Sequence, residues 1–287
     1  MSEQSYWPAP AKLNLFLHIT GRRDDGYHLL QTVFQFLDFN DELYFEVNES
    51  GAISRLNDNA DIAEADDLVV RAARLLQKEA AVSQGVCINL VKKLPMGGGV
   101  GGGSSDAGTT LVALNYLWNA GQSAEQLAKM GVQLGADVPV FVKGFAAFAE
   151  GVGEELEALE LPQPWFLVVK PDIHVSTAEI FTNSQLTRNC SAIRICDLKS
   201  GATSIADLSN VCEPIATQHY PEIQQVINHL NQYGQARMTG TGACVFVAFS
   251  KAVDAQQALQ TLPAQWQGFV AKGMNQSPLQ LKLNTLM

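Results

Sequence analysis

Six glycines fall within the seven residues from Gly97 to Gly103, and they precede a Ser-Ser pair. The run lies between a strand pattern and an apolar helical pattern. Glycine has no Cβ, so consecutive backbone N–H groups can turn toward one point at positive φ. A helix beginning at Ser104 or Ser105 would add unpaired N–H groups and the positive end of its dipole. The run predicts a phosphate-binding loop, because a flexible linker is seldom held between a strand and an apolar helix.

Several known phosphate loops do not fit. The Walker pattern needs a lysine after its last glycine, and here Ser104 follows Gly103. The spacing Gly97-x-Gly99-x-x-Gly102 matches the dinucleotide fingerprint, but that fold needs an acidic residue after a second strand about 20 residues on. The chain instead continues from one helix pattern into another. The His-Arg-Asp and Asp-Phe-Gly segments of protein kinases do not occur. A dinucleotide-binding oxidoreductase stays open as a weaker alternative.

Charge and composition exclude other classes. The chain has 29 acidic and 19 basic side chains, a formal net charge of −10, so it is a poor general binder of nucleic acids. It is 47% apolar, too apolar for a disordered chain. The scattered cysteines form no Cys-x-x-Cys pair, which disfavours a disulfide framework or a zinc site. The first residues lack a signal-peptide pattern, and the apolar runs are too short to span a membrane. We therefore expect a soluble cytoplasmic protein.

Strand and helix patterns occur in both halves and predict an α+β fold with two domains. Residues 11–19 alternate as a strand with Lys12 and Asn14 on one face. Further strands are predicted at 32–38, 42–47, 86–91, 165–169, 236–239, 243–249 and 268–273. Helices are predicted from Leu68, over 107–118, 124–134, 177–186, 221–232 and 253–261, the third opened by a capping box at Ser123. Residues 22–26 and 187–204 are predicted loops. The Glu- and Pro-containing stretch 154–164 is predicted to be an exposed connection between the domains.

Four ordered segments resemble the motifs of the GHMP kinase superfamily. Pro95–Ser105 resembles its phosphate loop, Pro10–Leu15 its N-terminal motif, Leu134–Phe141 its catalytic segment and Thr239–Cys244 its C-terminal glycine motif. The resemblance implies an N-terminal ATP-binding domain of ribosomal S5 domain 2-like fold, over 1–160. It implies a ferredoxin-like α/β sandwich as the C-terminal domain, over 161–287.

The segment Gly26-Tyr-His-Leu narrows the resemblance to members whose substrate carries cytidine diphosphate. These family members phosphorylate the 2-hydroxyl of a cytidine-diphosphate-linked methylerythritol, a step of the non-mevalonate route to isoprenoid precursors. The resemblance implies ATP as co-substrate, with Mg²⁺, and no nucleic-acid or membrane partner. Two alternatives remain: a GHMP kinase acting on a sugar, homoserine or mevalonate, and an RNA-binding module of S5-like fold.

Phosphoryl transfer to a hydroxyl needs a held triphosphate, charge neutralisation and a proton acceptor. Asp137 lies in a predicted break in regular structure, where a carboxylate can be aimed. An aspartate in a loop is more often a turn former, and the resemblance is what makes Asp137 the expected general base. The resemblance also makes Lys12 catalytic, orienting Asp137 and stabilising the nascent alkoxide. Asn14, on the same strand face, is expected to bind substrate.

The remaining expected site residues bind the two nucleotides. Tyr27, His28 and Phe181 are expected to recognise cytosine by stacking and hydrogen bonding. Two acids depart from the resemblance. Asp67 lies where an adenine contact would fall, and Asp106 would repel a triphosphate unless a magnesium ion lies between them. The metal ligands are left unassigned. The expected ATP-binding residues are Lys92, Pro95, Met96, Gly97, Gly98, Gly99, Val100, Gly101, Gly102, Gly103, Ser104 and Ser105.

Overall fold

The computed structural model describes residues 6–24, 26–56 and 66–286, so Asp25 in the predicted loop at 22–26 lies outside the described residues. The described strands are β1 (Trp7–Arg22), β2 (His28–Asn48), β3 (Ile53–Arg55), β4 (Gly85–Val91), β5 (Ala147–Glu150), β6 (Glu155–Ala158), β7 (Trp165–Lys170), β8 (Arg237–Met238), β9 (Val245–Phe249) and β10 (Gln267–Met274). The helices are α1 (Leu68–Glu79), α2 (Gly102–Leu117), α3 (Ala124–Leu134), α4 (Val138–Lys143), α5 (Thr177–Thr182), α6 (Ile195–Ser200), α7 (Glu213–His219), α8 (Pro221–Leu230), α9 (Ala252–Leu259) and α10 (Pro278–Leu286), with a 3₁₀ turn at Ile205–Asp207.

One strand, β2, organises the sheet. Different parts of it pair with β1, β4, β5 and β10, all antiparallel. The sheet order is β3-β4-β2-β10-β7-β9-β8, and the β3–β4 pair is parallel. Strand β10 therefore joins the N-terminal strands to the C-terminal strands. The predicted α+β class is confirmed.

The helices cover the sheet with apolar faces. In the N-terminal half, α1, α2 and α3 pack on β1 and β4 around a core that contains Leu76, Leu111 and Leu127. Leu279 of α10 joins the same core, so the end of the chain packs back against the N-terminal half. A second core contains Leu167, Ile223 and other residues of the C-terminal half. The boundary at 160/161 stays a prediction.

Several predicted elements differ from the structure. The strands at 32–38 and 42–47 are one strand, because β1 pairs with residues on both sides of Asn40 and keeps the chain extended. The stretch 154–164 is largely exposed, as predicted, but it is not irregular throughout: β6 lies within it, and Leu159 and Leu161 are buried. The predicted loop at 187–204 contains α6, and the helix predicted over 177–186 ends at Thr182.

Within the described ranges, none of the helices combines the length and apolarity needed to cross a bilayer. The capping box at Ser123 is confirmed, since its hydroxyl accepts from the Gln126 backbone and the Gln126 side chain accepts from the Ser123 backbone.

Candidate active site

A cleft of about 1340 Å³ gathers most of the expected site residues. Its lining includes Lys12, Asn14, Tyr27, His28, Lys92, Pro95, Met96, Gly97, Gly98, Gly99, Gly101, Gly102, Gly103, Ser104, Asp137 and Phe181. Two expected residues are not in its lining: Val100 and Ser105 are buried.

The glycine loop is packed against the C-terminal glycine motif. Gly99 has a φ of +76°, and a Cβ there would lie 2.4 Å from the carbonyl oxygen of Thr239. The Gly98 carbonyl accepts a 3.0 Å hydrogen bond from the backbone N–H of Cys244. These contacts need glycine because any side chain would push the two motifs apart. The loop is therefore a fixed element of the fold and not a flexible linker.

The helix after the loop starts earlier than predicted. Helix α2 begins at Gly102, with Gly101 as its N-cap at a φ of 79°. The prediction of a start at Ser104 or Ser105 is thus wrong by about one turn. Glycine is a poor helix former, so the sequence pattern gives no reason to include Gly102 and Gly103. Their inclusion moves the helix N-terminus, with its unpaired N–H groups, into the glycine loop itself.

Backbone groups of β1 hold the two motifs in place. The register of β1 against β2 shifts between Pro10 and Lys12. The backbone N–H of Lys12 donates to the carbonyl of Val100 at 3.0 Å, and that of Asn14 donates to the Thr239 hydroxyl at 2.8 Å. Strand β1 thereby connects the glycine loop and the C-terminal motif at the position of its own polar side chains.

The Lys12 ammonium and the Asp137 carboxylate form an ion pair inside the cleft. Lys12 Nζ lies 3.2 Å from Asp137 Oδ2. It also donates to Asn14 Oδ1 at 2.5 Å and to the Gly99 carbonyl at 3.2 Å. The Lys12 side chain is 3% exposed, whereas that of Asp137 is 35% exposed. The lysine is therefore fixed by three acceptors, and the carboxylate remains open to a bound molecule.

Asp137 owes its position to the break between two helices. It lies just after α3 and directly before α4, and its side chain makes no capping hydrogen bond to α4. Gly131 and Gly135 let the end of α3 approach Val138 closely. The predicted break is confirmed, and the carboxylate is directed to the cleft rather than to the helix end.

Lys92 lies beside the glycine loop in a second ion cluster, whose two carboxylates are more buried than that of Asp137. Its ammonium donates to Asp41, and to Asp106 Oδ2 at 2.7 Å. Asp41 also accepts from the backbone N–H groups of Lys93 and Leu94, at 2.5 and 2.7 Å. Burial opposes the charge on Lys92, but Asp106 and Asp41 outweigh it and raise the Lys92 pKa.

Asp106 is the exceptional member of that cluster. Burial raises the pKa of its carboxyl to about 7, against the opposing effect of Lys92. Its Oδ1 is buried without a hydrogen-bond partner in the described part of the chain, as is the hydroxyl of Ser105. The acid expected to repel a triphosphate is thus paired with a lysine, and its environment disfavours the charged form.

Asp67 has a structural role at the opposite wall. It is the N-cap of α1, and its Oδ1 accepts from the backbone N–H of Val69 at 2.9 Å. Its other oxygen pairs with the guanidinium of Arg55. Both oxygens are therefore engaged by the protein.

Aromatic side chains also line the cleft. The rings of His28 and Phe181 stack with centroids 5.3 Å apart and an interplanar angle of 23°. Tyr27 is 63% exposed. Arg188 donates from Nε to His28 Nε2 at 3.0 Å, and its other nitrogens donate to the carbonyls of Leu186, Phe181 and Asn183. Burial, followed by the charges of Arg188 and Arg22, lowers the His28 pKa.

Sequence reasoning missed Asp41 and Arg188. Asp41 follows Asn40, a pair typical of turns, yet both lie in the middle of a strand. Arg188 lies in a polar stretch predicted to be loop. An acid between two apolar strand patterns was the available signal for Asp41, whereas nothing in the local sequence distinguishes Arg188 from the other surface arginines.

Comparison with known proteins identifies the family. The family models of the GHMP kinase N-terminal and C-terminal domains match residues 67–145 and 192–268, respectively. The chain belongs to the GHMP kinase family, and as a member it is an ATP-dependent kinase.

Within this family, the chain is similar to several proteins that share one name. A Nitrosococcus oceani protein named 4-diphosphocytidyl-2-C-methyl-D-erythritol kinase is 55% identical over 273 residues, covering 95% of this chain and 96% of that protein. A Pseudomonas aeruginosa protein of the same name is 52% identical over the full length of both. A crystal structure of 4-(cytidine 5'-diphospho)-2C-methyl-D-erythritol kinase matches with a TM-score of 0.80 and 30% identity, covering 94% of this chain and 99% of that one. A Methanococcus jannaschii mevalonate kinase, at 15% identity and a TM-score of 0.70, shares the fold.

Proposed function

We propose that this chain transfers the γ-phosphate of ATP to the 2-hydroxyl of 4-diphosphocytidyl-2-C-methyl-D-erythritol, giving the 2-phosphate and ADP in isoprenoid precursor synthesis. The observation that carries the proposal is one cleft with two kinds of lining group. The Lys12–Asp137 pair and the glycine loop line it, and the Tyr27, His28 and Phe181 side chains line the same cleft. A phosphoryl acceptor that also carries a pyrimidine fits that lining. The names of the close relatives support the same substrate.

In the proposed mechanism, the oxygen of the acceptor hydroxyl attacks the γ-phosphorus, and Asp137 accepts the proton of that hydroxyl. The new O–P bond forms while the bond to the β-phosphate oxygen breaks, and ADP leaves with that electron pair. Lys12 stabilises the negative charge that develops on the attacking oxygen, because its ammonium already lies 3.2 Å from the base. Asn14 accepts from Lys12 through Oδ1, and its Nδ2 donates one hydrogen to Thr32 Oγ1 at 3.0 Å, so the second N–H hydrogen is left for the substrate.

The triphosphate would be bound mainly by neutral groups. The glycine loop lines the cleft and continues directly into the N-terminus of α2, whose unpaired N–H groups can bind phosphate in spite of a net charge of −10. Ser104 lies in the first turn of α2 and lines the cleft, where its hydroxyl can donate to a phosphate oxygen. Lys92 contributes positive charge beside the loop.

In the ranges that the structure describes, no group of three or more His, Cys, Asp or Glu side chains is arranged to hold a metal ion. Mg²⁺ bound chiefly by phosphates and water needs few protein ligands, so it would arrive with ATP. We assign no step of the mechanism to it.

A coupled assay of ADP release tests the proposal. Wild type should turn over the cytidine diphosphate substrate and not mevalonate, homoserine or galactose. The Asp137→Asn variant should lose about 10²–10⁴ in kcat while its Kd for ATP stays within a few-fold, because only the proton acceptor is removed. A fully active Asp137→Asn variant would exclude Asp137 as the base. Turnover of another alcohol in place of the cytidine substrate would support a different GHMP kinase.

A further inference from the structure

We propose that Arg188 is a positioning residue that fixes His28 as the tautomer with its proton on Nδ1, so that His28 presents a hydrogen-bond donor that distinguishes cytosine from uracil. The inference rests on the proposed function, since it concerns the base of the same substrate. It assigns a role to a residue that lies 160 positions from His28 in the sequence.

The tautomer follows from the direction of one hydrogen bond. An arginine guanidinium has only donors, and Arg188 Nε donates to His28 Nε2 at 3.0 Å. That nitrogen must therefore carry a lone pair, which places the proton of a neutral imidazole on Nδ1. The lowered pKa of His28 is consistent with a neutral ring, since burial and two nearby arginines disfavour its protonation.

The arginine itself is held rigidly. Its Nη2 donates to the carbonyls of Phe181 and Asn183 at 2.7 and 2.8 Å, and its Nη1 donates to the Leu186 carbonyl at 3.0 Å. These carbonyls belong to the end of α5 and the residues after it. Arg188 thus ties the orientation of the His28 ring to the helix that carries Phe181, whose ring stacks on His28.

Elimination leaves Nδ1 as the polar atom of His28 that can bind a ligand. Nε2 is occupied by Arg188, and Phe181 covers one face of the ring. Among the described residues no protein group bonds to Nδ1, and His28 lines the cleft. A donor at this position matches N3 of cytosine, which is an acceptor. It opposes N3 of uracil, which carries a hydrogen, so uracil would leave two donors facing each other.

Side-chain ¹⁵N NMR of histidine-labelled wild type tests the first step without any variant. The His28 signal, assigned by its absence in His28→Gln, should show a protonated Nδ1 and an unprotonated Nε2. In Arg188→Leu the Nε2–H form should become populated. Arg188→Lys, which keeps a charged donor, should restore part of the Nδ1–H population. A wild-type His28 protonated on Nε2 would overturn the proposal.

Nucleotide affinities test the second step. Wild type should bind CMP more tightly than UMP, and in Arg188→Leu the ratio of the two Kd values should fall roughly five- to tenfold, as expected for one hydrogen bond. Arg194→Leu is the matched control, because Arg194 pairs with Asp197 on the exposed surface and touches neither His28 nor α5. Equal weakening of CMP and UMP in Arg188→Leu would mean that Arg188 only supports α5, which contradicts the proposal. Failure of wild type to turn over the cytidine substrate would instead contradict the proposed function.

Discussion

Two lysines lie against the same glycine loop, and their surroundings differ in a way that separates chemistry from structure. Lys12 pairs with one carboxylate that is 35% exposed, and its other partners are an amide oxygen and a backbone carbonyl. Lys92 pairs with two carboxylates whose side chains are 0% and 4% exposed. The carboxylate that pairs with Lys12 reaches solvent, whereas both carboxylates that pair with Lys92 are buried. We call the first an open pair and the second a closed cluster.

The difference shows what a buried ion pair is arranged to do. Asp41 accepts hydrogen bonds from two backbone N–H groups, so its carboxylate stabilises the fold and is not available to a ligand. Asp137 makes no capping bond and keeps accessible surface, so it can exchange partners when substrate enters. We therefore expect the same substitution to produce different losses at the two lysines.

The largest expected effect is that of Lys92→Met on stability. Removing the cation leaves Asp41 and Asp106 buried near one another without compensation, and breaking buried pairs in this way costs about 3–5 kcal/mol of the free energy of unfolding. Urea unfolding at pH 8 measures it. An unchanged urea midpoint in Lys92→Met would mean that the ion pairs of Lys92 with Asp41 and Asp106 do not stabilise the fold. The double variant Lys92→Met with Asp106→Leu should recover part of the loss, since one buried charge is then removed.

Lys12→Met should be the reverse case. Its kcat with the cytidine substrate should fall about 10²–10³-fold, as on loss of an electrostatic group at the reacting oxygen. Its free energy of unfolding should change by only about 1–3 kcal/mol, because the groups left unpaired are Asn14, a carbonyl and a carboxylate that reaches solvent. Stopped-flow or coupled kinetics and urea unfolding on the same preparation check both halves. A larger stability loss than in Lys92→Met would reverse the assignment of the two lysines.

The sequence predicts the site residues that lie within recognisable motifs. Lys12, Asn14 and Asp137 lie in segments that resemble family motifs, and the alternation of β1 already put the first two on one face. The pairing of Lys12 with Asp137 was predicted from the catalytic roles that the family resemblance implies for them. The structure places the two side chains 3.2 Å apart.

The unpredicted features come from contacts between distant segments. The continuity of β2 through Asn40 and Asp41 depends on pairing with β1, which overrides the turn preference of those residues. Gly102 is helical in spite of its own low propensity, and its nearest neighbours are Lys92, Leu94 and Asp41, which lie outside the loop and the helix. The burial of Leu159 and Leu161 depends on Phe16, Val33 and Phe148, which lie in other strands. Local pattern carries no information about such partners.

The smallest expected effect is the contribution of Asp106 to the pH dependence of stability. Its carboxyl pKa is raised from 3.8 to about 7 in the folded state, so between those pH values the folded chain binds more protons than the unfolded chain. Stability must then fall as pH rises through that window, by the linkage between proton binding and folding.

Asp106→Asn removes this contribution and keeps Lys92 paired with Asp41. Urea unfolding at pH 5 and pH 8 should therefore show a steeper loss in wild type than in the variant, by about 2–3 kcal/mol. Glu125→Gln is a matched carboxylate control, because Glu125 pairs with Lys143 at the exposed surface and its pKa is shifted in the opposite direction. Identical pH slopes in wild type and Asp106→Asn would mean that Asp106 stays ionised beside Lys92, and the closed cluster would then carry a full negative charge beside the phosphate loop.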